Sequence, residues 1–141
     1  MSKYFEVGVR YEKTQEDGTD KKVTETYLID ALSFSEVEKR ITEEMEAYIS
    51  GEFSVVTEKI TNISDVVNTD DVLADKFYKV KFSIITVDEK TGKEKKQSQL
   101  IVVKASSNDD ARDRYKQYYK DTPVDLVLEA VSETKYIDYI P

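Results

Sequence analysis

The sequence predicts an α+β fold built as a tandem duplication of a β-β-α-β unit. Apolar and polar residues alternate in the stretch that opens each half of the chain, which is typical of strands with one face on a core. Each half then has a serine-led capping signal before residues at helical spacing. The same features recur after a shift of 73 or 74 residues along almost the whole chain.

The first unit opens with a predicted hairpin. The apolar residues of its first strand share one face: Phe5, Val7, Val9 and Tyr11. Asp17 and Gly18 lie at the centre of the polar stretch that follows, and an aspartate–glycine pair permits the positive φ that hairpin connections need. A second strand is expected over residues 23–29.

The first helix is predicted to begin at Ser33, because Glu36 stands three residues later and completes a capping box. Residues at helical spacing follow: Val37, Ile41, either Met45 or Glu44, and Tyr48. Gly51 is typical of a helix end. A third strand over 53–60 completes the unit, and the apolar residues at 63–67 either extend it or cross to the next unit.

The second unit repeats this order after residues 68–75, which we interpret as a linker. The alternating residues of its first strand are Tyr78, Val80, Phe82 and Ile84. Gly92 corresponds to Gly18, and Ser107 with Asp110 repeats the cap in a weaker form. The second helix must end before Pro123. The last predicted elements are a strand over 126–131 and an apolar tail over 136–140, which is expected to join the sheet rather than to be offered to a partner.

The predicted domain organisation is a first repeat (1–67), a linker (68–75) and a second repeat (76–141), together forming one compact domain. A lone unit of about 65 residues buries little surface and leaves an edge uncovered. We therefore expect the repeats to pair about a pseudo-two-fold axis. Their strands form either one mainly antiparallel sheet with both helices on one face, or two packed sheets. Polar residues on the alternate strand faces favour the single sheet.

The charge of the 141-residue chain is −8 and is unevenly shared. Residues 1–73 carry 8 basic and 17 acidic side chains, whereas residues 74–141 carry 13 basic and 12 acidic ones. Divergence of a solvated face is the favoured explanation. The alternative is that the acidic half faces a cationic partner or the second half of another copy. No apolar run approaches the roughly 20 residues of a membrane helix, and the polar start is unlike a signal peptide.

Catalysis has little support in the sequence. Histidine and cysteine are absent, which removes the commonest general base, the thiol nucleophile and zinc sites of the usual kind. The Asp-Gly-Thr triplet at 17–19 superficially resembles the active-site triplet of aspartic proteases. It lies in a predicted hairpin, however, and has no second copy. The acidic pairs at 70–71 and 109–110 could bind a hard cation, but a polar linker and a first helical turn explain them better. We expect a protein that is not an enzyme and has neither cofactor nor metal.

The tyrosine content is the one unusual feature of the composition, with 10 tyrosines in the chain. The helix at 108–120 has three of them among basic residues, and tyrosine suits interfaces because it joins a rigid ring to a polar tip. We predict that this helix binds a protein partner, although one of the rings is expected to pack on the sheet. The predicted binding residues are Tyr115, Tyr118, Tyr119, Arg112 and Lys116. The acidic helix at 34–48 is the second predicted surface.

Two further binding hypotheses stay open. A nucleic-acid accessory role would use the sheet face with Arg10, Lys79 and Lys81, by stacking and charge on single strands. The net negative charge argues against it, since phosphate neutralisation dominates such affinity. A small ligand bound where the two repeats meet is the other alternative. The sequence gives no information on oligomeric state.

Several stretches of the chain carry a resemblance to a known family. They are 4–7 (YFEV), 10–14 (RYEKT), 23–25 (VTE), 27–36 (YLIDALSFSE), 41–45 (ITEEM), 49–53 (ISGEF), 77–81 (FYKVK) and 88–90 (DEK). They resemble the uncharacterised family DUF4494 over nearly the whole length. That family has no assigned activity, so it supplies no functional residues. The resemblance implies a cytoplasmic protein of Bacteroidetes or of their phages and mobile elements, or a virion component, acting as an accessory factor.

Overall fold

Residues 3–141, which the computed structural model describes, form eight strands and two helices. In chain order these are β1 (Lys3–Thr14), β2 (Asp20–Ala31), α1 (Phe34–Tyr48), β3 (Phe53–Ile60), β4 (Asp65–Val67), β5 (Lys76–Val87), β6 (Glu94–Ala105), α2 (Asn108–Tyr118), β7 (Asp125–Glu133) and β8 (Tyr136–Ile140). The predicted α+β class is confirmed. Neither helix is long and apolar enough to cross a membrane within this described part of the chain.

The strands form two four-stranded sheets, whereas the polar strand faces had favoured one. The first sheet has the order β3-β1-β2-β8, and the second has the order β4-β6-β5-β7. Within each sheet three strands pair antiparallel, and one short strand, β8 or β4, pairs parallel at the edge. Each sheet carries one helix, α1 on the first and α2 on the second.

The two repeats exchange their last strands, and the chain therefore divides into two compact units with other bounds than the repeats. Unit 1 contains the chain up to Asn62 together with Tyr136–Pro141, and unit 2 is Ile63–Lys135. Strand β4 follows β3 in the chain but pairs with β6, and β8 follows β7 but pairs with β2. The apolar residues at 63–67 therefore cross to the next unit, and the apolar tail is tied into a sheet as expected.

Both helices begin with the same cap, as their sequences predict. The Ser33 hydroxyl accepts a hydrogen bond from the Glu36 N–H at 3.2 Å, and Ser107 accepts one from Asp110 at 3.1 Å. Each acidic side chain in turn accepts from the N–H of the residue before the serine, at 3.0 and 2.9 Å. Two backbone donors at each helix start are thus satisfied.

The outer antiparallel strands, β3 and β7, are interrupted at the same place. Their pairing register shifts between Gly8 and Val9 in unit 1, and between Lys81 and Phe82 in unit 2. A bulge increases the local twist and makes an edge strand a poor template for pairing with another chain. The two units therefore share a backbone plan down to this irregularity, as a duplication would produce.

The cores lie between each helix and its sheet. In unit 1 the helix contributes aliphatic side chains: Val37, Ile41 and Met45. In unit 2 it contributes Ala111 and Tyr115, with Tyr119 packed at the margin. The hairpin glycines Gly18 and Gly92 have φ values of 86° and 68°, which fits the positive φ predicted for these turns.

Candidate interaction surfaces

Tyr115 is a core residue. It is 5% exposed, and its ring centroid lies 5.1 Å from that of Phe82 and 5.4 Å from that of Tyr119. Burial raises the pKa of its phenol. The structure thus confirms that one of the three tyrosines packs on the sheet, and Tyr115 is not part of the exposed surface of α2.

Tyr118 presents its ring to solvent while its hydroxyl is fixed. The residue is 50% exposed, and its hydroxyl donates to Asp65 Oδ2 at 2.6 Å. The half-buried Tyr119 lies between the two environments, with ring centroids 5.0 Å from Tyr118 and 5.1 Å from Phe82. Burial, and then the charge of Asp65, raise the pKa of Tyr119. These contacts tie the last turn of α2 to the edge strand β4.

The predicted basic residues lie on the opposite flank of α2. Arg112 Nε donates to Asn108 Oδ1 at 2.8 Å, and Asn108 Nδ2 donates to the Val131 carbonyl of β7 at 3.0 Å. Lys116 is exposed one turn further on. The five predicted residues therefore do not form one surface, because β7 borders the basic flank and β4 borders Tyr118.

An arginine that the sequence did not single out holds the linker against α2. Arg114 contacts two carboxylates, with Nη2 at 2.9 Å from Asp71 Oδ2 and Nε at 2.9 Å from Asp110 Oδ2. The pKa of Asp71 is lowered by the Leu73 N–H and then by Arg114, and the pKa of Asp110 by the Ser106 N–H and then by Arg114. Only the helical spacing of Asp110 and Arg114 was a sequence signal.

The linker is an ordered turn with two projecting apolar side chains. Asp71 accepts the Leu73 N–H on Oδ1 at 3.0 Å and the Ala74 N–H on its carbonyl at 3.0 Å, and Ala74 is buried. Val72 and Leu73 between them are 91% and 73% exposed. Arg114, which binds this turn, is one helical turn from Tyr118. We name Val72 and Leu73 the linker surface.

The acidic helix α1 borders a small cleft in unit 1. The cleft has a volume of about 150 Å³ and is lined by Tyr27, Glu44, Met45, Tyr48, Ile137, Asp138 and Ile140. Met45 and Ile140 are buried core residues, whereas Tyr48 is 71% exposed. The cleft therefore joins an apolar floor to a rim that carries two carboxylates.

The residues of the nucleic-acid hypothesis lie in two different sheets. Arg10 is exposed on β1 and borders an open cleft of about 580 Å³, whose other charged residues have both signs: Glu12, Asp20, Lys22 and Glu52. Lys79 and Lys81 are on β5, and Lys81 Nζ lies 4.0 Å from Glu129 Oε2. No single sheet carries all three cations, and the hypothesis stays a prediction.

Fold and surfaces together define a small α+β protein of two similar units with exchanged strands, and within residues 3–141 no group of three metal-binding side chains is assembled. The model of the family "Domain of unknown function (DUF4494)" matches residues 3–141, so the chain belongs to that family, as the resemblance implied. Neither the curated proteins nor the solved structures contain a match.

Proposed function

We propose that this protein is a non-enzymatic protein-binding module and that its partner docks on the linker surface. The observation that carries the proposal is the exposure of Val72 and Leu73 on a turn that is fixed from both sides. Adjacent large apolar side chains in water are typical of interaction sites. A connection that only joined two strands would need neither feature.

The order of the turn favours binding because it lowers the entropy lost on association. Immobilising a flexible side chain at an interface costs about 0.5–1.5 kcal/mol. Arg114 and the internal hydrogen bonds of Asp71 already hold the backbone that presents Val72 and Leu73. Tyr118 adds a ring whose hydroxyl is already satisfied by Asp65, so its exposed face can be covered without leaving a polar group unpaired.

A capture experiment with matched variants tests the proposal. The tagged protein would be purified under mild conditions from Bacteroidetes lysates, with and without phage infection, since the proposal includes a cytoplasmic accessory role in phage or mobile-element biology. We expect one stoichiometric protein partner, lost when Val72→Asp and Leu73→Asp are combined. Val87→Asp, at another exposed valine, should keep it. Equal capture by the Val72/Leu73 variant, or no partner at all, would overturn the proposal.

Replacing the arginine that fixes the turn separates pre-organisation from contact. Arg114→Leu leaves Val72 and Leu73 in place but frees the backbone that presents them. We expect about tenfold weaker partner binding, equal to about 1.4 kcal/mol, and faster hydrogen exchange at residues 68–75. Arg112→Leu, on the opposite flank of α2, is the control and should change neither. Equal weakening by both variants would show that α2 charge, not the ordered turn, governs binding.

A further inference from the structure

The two units differ at one equivalent corner, where the helix meets the parallel edge strand. Glu44 of α1 and Tyr118 of α2 stand at the same distance from their N-cap serines. Asp138 of β8 and Asp65 of β4 pair with equivalent residues of β2 and β6. The corner thus holds a tyrosine and an aspartate in unit 2, but a glutamate and an aspartate in unit 1.

The cleft in unit 1 lies at this corner, where Glu44 stands in the place of Tyr118. In unit 2 the Tyr118 hydroxyl reaches Asp65, and its ring occupies the corner beside Tyr119. In unit 1 Glu44 supplies no ring, and the cleft of about 150 Å³ lies beside Glu44 and Asp138. A cavity of about this volume holds a benzene-sized group. The cleft therefore has room for one large side chain.

We propose that this cleft binds a lysine or arginine side chain of a protein partner. The long stem of such a side chain packs on apolar surface while its charged group stays at the rim. Met45 and Ile140 offer the apolar floor, and Glu44 and Asp138 offer charge-assisted acceptors.

The tyrosines that line the cleft favour the same occupant. Tyr27 and Tyr48 are among the lining residues, and the face of a tyrosine ring attracts a cation. A neutral occupant would instead bring two carboxylates towards a group that cannot compensate them. Further exposed acidic residues elsewhere on α1 give this helix a negative charge that would steer a cationic partner: Glu38, Glu43 and Glu46.

The inference extends the proposed function and rests on it only in assuming a protein partner. It places the cationic partner that the charge asymmetry suggested at a specific cleft. The linker surface lies in unit 2 and the cleft in unit 1, so each can be tested alone.

The probe is N-acetyl-lysine methylamide, titrated into the isotope-labelled full chain and followed by two-dimensional NMR. N-acetyl-norleucine methylamide, with the same stem and no charge, is the control ligand. We expect lysine-specific shifts at residues 44–48 and 137–140 with a Kd of about 1 mM, the affinity scale of weak single-group contacts. Equal shifts with norleucine, shifts spread over other acidic segments, or no shifts up to about 50 mM would each overturn the proposal.

Matched variants distinguish the cleft from general charge attraction. Glu44→Gln should weaken lysine binding about tenfold, whereas Glu43→Gln, the same charge change outside the cleft, should stay within about twofold. Glu44→Tyr installs the residue of unit 2 and should abolish binding, with unchanged spectra in β1 and β3, strands of unit 1 outside the cleft, as the test of folding. Equal weakening by Glu43→Gln would overturn the proposal. If the probe fails while the Val72/Leu73 variant still loses its partner, this inference fails and the proposed function stands.

Discussion

Units 1 and 2 use the same backbone plan to display opposite surface chemistry. Helix caps, hairpin glycines and strand bulges occur at equivalent positions in both. The helix–edge corner, however, is closed by Tyr118 in unit 2 and bordered by Glu44 in unit 1. The features that specify the hairpin and the helix start of each unit are thus local and few, and the remaining surface positions differ between the units.

Equivalent arginines occupy the same helix position in the two units but bind different groups. Arg40 and Arg114 both lie one turn after the acidic residue of the cap. Arg40 donates to the Pro141 carbonyl, just beyond β8, and Arg114 binds Asp71, beyond β4. Each arginine thus fastens the segment that follows an exchanged strand. In unit 2 that segment carries the exposed side chains of Val72 and Leu73.

The largest expected effect tests which tyrosine of α2 belongs to the core. Tyr115→Ala should destabilise unit 2 by about 3–5 kcal/mol, because it leaves a cavity against Phe82. Tyr118→Ala should cost about 1 kcal/mol, the value of one hydrogen bond, since its ring is half exposed. Urea unfolding measures the loss in the free energy of unfolding for each variant. Hydrogen exchange then shows whether that loss is confined to residues 63–135. Similar losses in the two variants would contradict the separation of core and surface.

A smaller loss of stability is expected at the pair beside the bulge. Its small residue is a glycine on β1 in unit 1 and an alanine on β7 in unit 2. Gly8 faces Thr57, and a Cβ at position 8 would lie 2.3 Å from Thr57 Oγ1. At the equivalent pair of unit 2, Lys81 faces Ala130. Gly8→Ala should cost about 1–3 kcal/mol through overpacking, whereas Lys81→Ala should be nearly neutral.

A double-mutant cycle in urea unfolding shows whether the threonine is the cause. Adding Thr57→Ala to Gly8→Ala should recover most of the lost stability, so that the two changes are strongly coupled. Additive losses would mean that the cost of Gly8→Ala comes from elsewhere in the strand.

The sequence predicted the parts of the fold that depend on neighbouring residues. Hairpins and helix starts carry local signals, such as Gly18 and the pairing of Ser33 with Glu36. The exchange of β4 and β8 depends on pairing between distant segments, which strands of 3 and 5 residues specify weakly on their own. The preference for one sheet rested on polar faces being wet. Ser83 on such a face is buried and bonded to Glu129, so polarity there did not mean exposure.

The candidate interaction surfaces were likewise predicted only where neighbouring residues carry a signal. The tyrosine content of α2 indicated an interface, but only the helix geometry shows that Tyr115 and Tyr118 face different environments. Arg114 and Asp71 are 43 residues apart, and no local pattern relates them. The cleft beside Glu44 was equally hidden, because β8 reaches it from the far end of the chain.

The smallest expected effect concerns a carboxylate that unit 2 replaces with a valine. Glu58 of β3 pairs with Val7, and the equivalent pair in unit 2 is Val131 with Val80. Glu58 Oε1 is buried without a hydrogen-bond partner within residues 3–141. Burial, and then the charge of Glu38, raise the pKa of Glu58 above its ordinary value of 4.5. Ionised Glu58 therefore opposes folding of unit 1.

Replacing Glu58 should accordingly stabilise the protein in a pH-dependent way. A raised folded pKa leaves the wild type with full stability below the ordinary value of 4.5, and part of it is lost as the pH rises through the folded pKa. Glu58→Gln does not titrate, so it should be more stable than wild type by about 1 kcal/mol at neutral pH and about equal at pH 4. Urea unfolding at both pH values measures this, with the exposed Glu43→Gln as a control that should show no such difference. A gain of equal size at both pH values would mean that packing, not ionisation, distinguishes Glu58 from Val131.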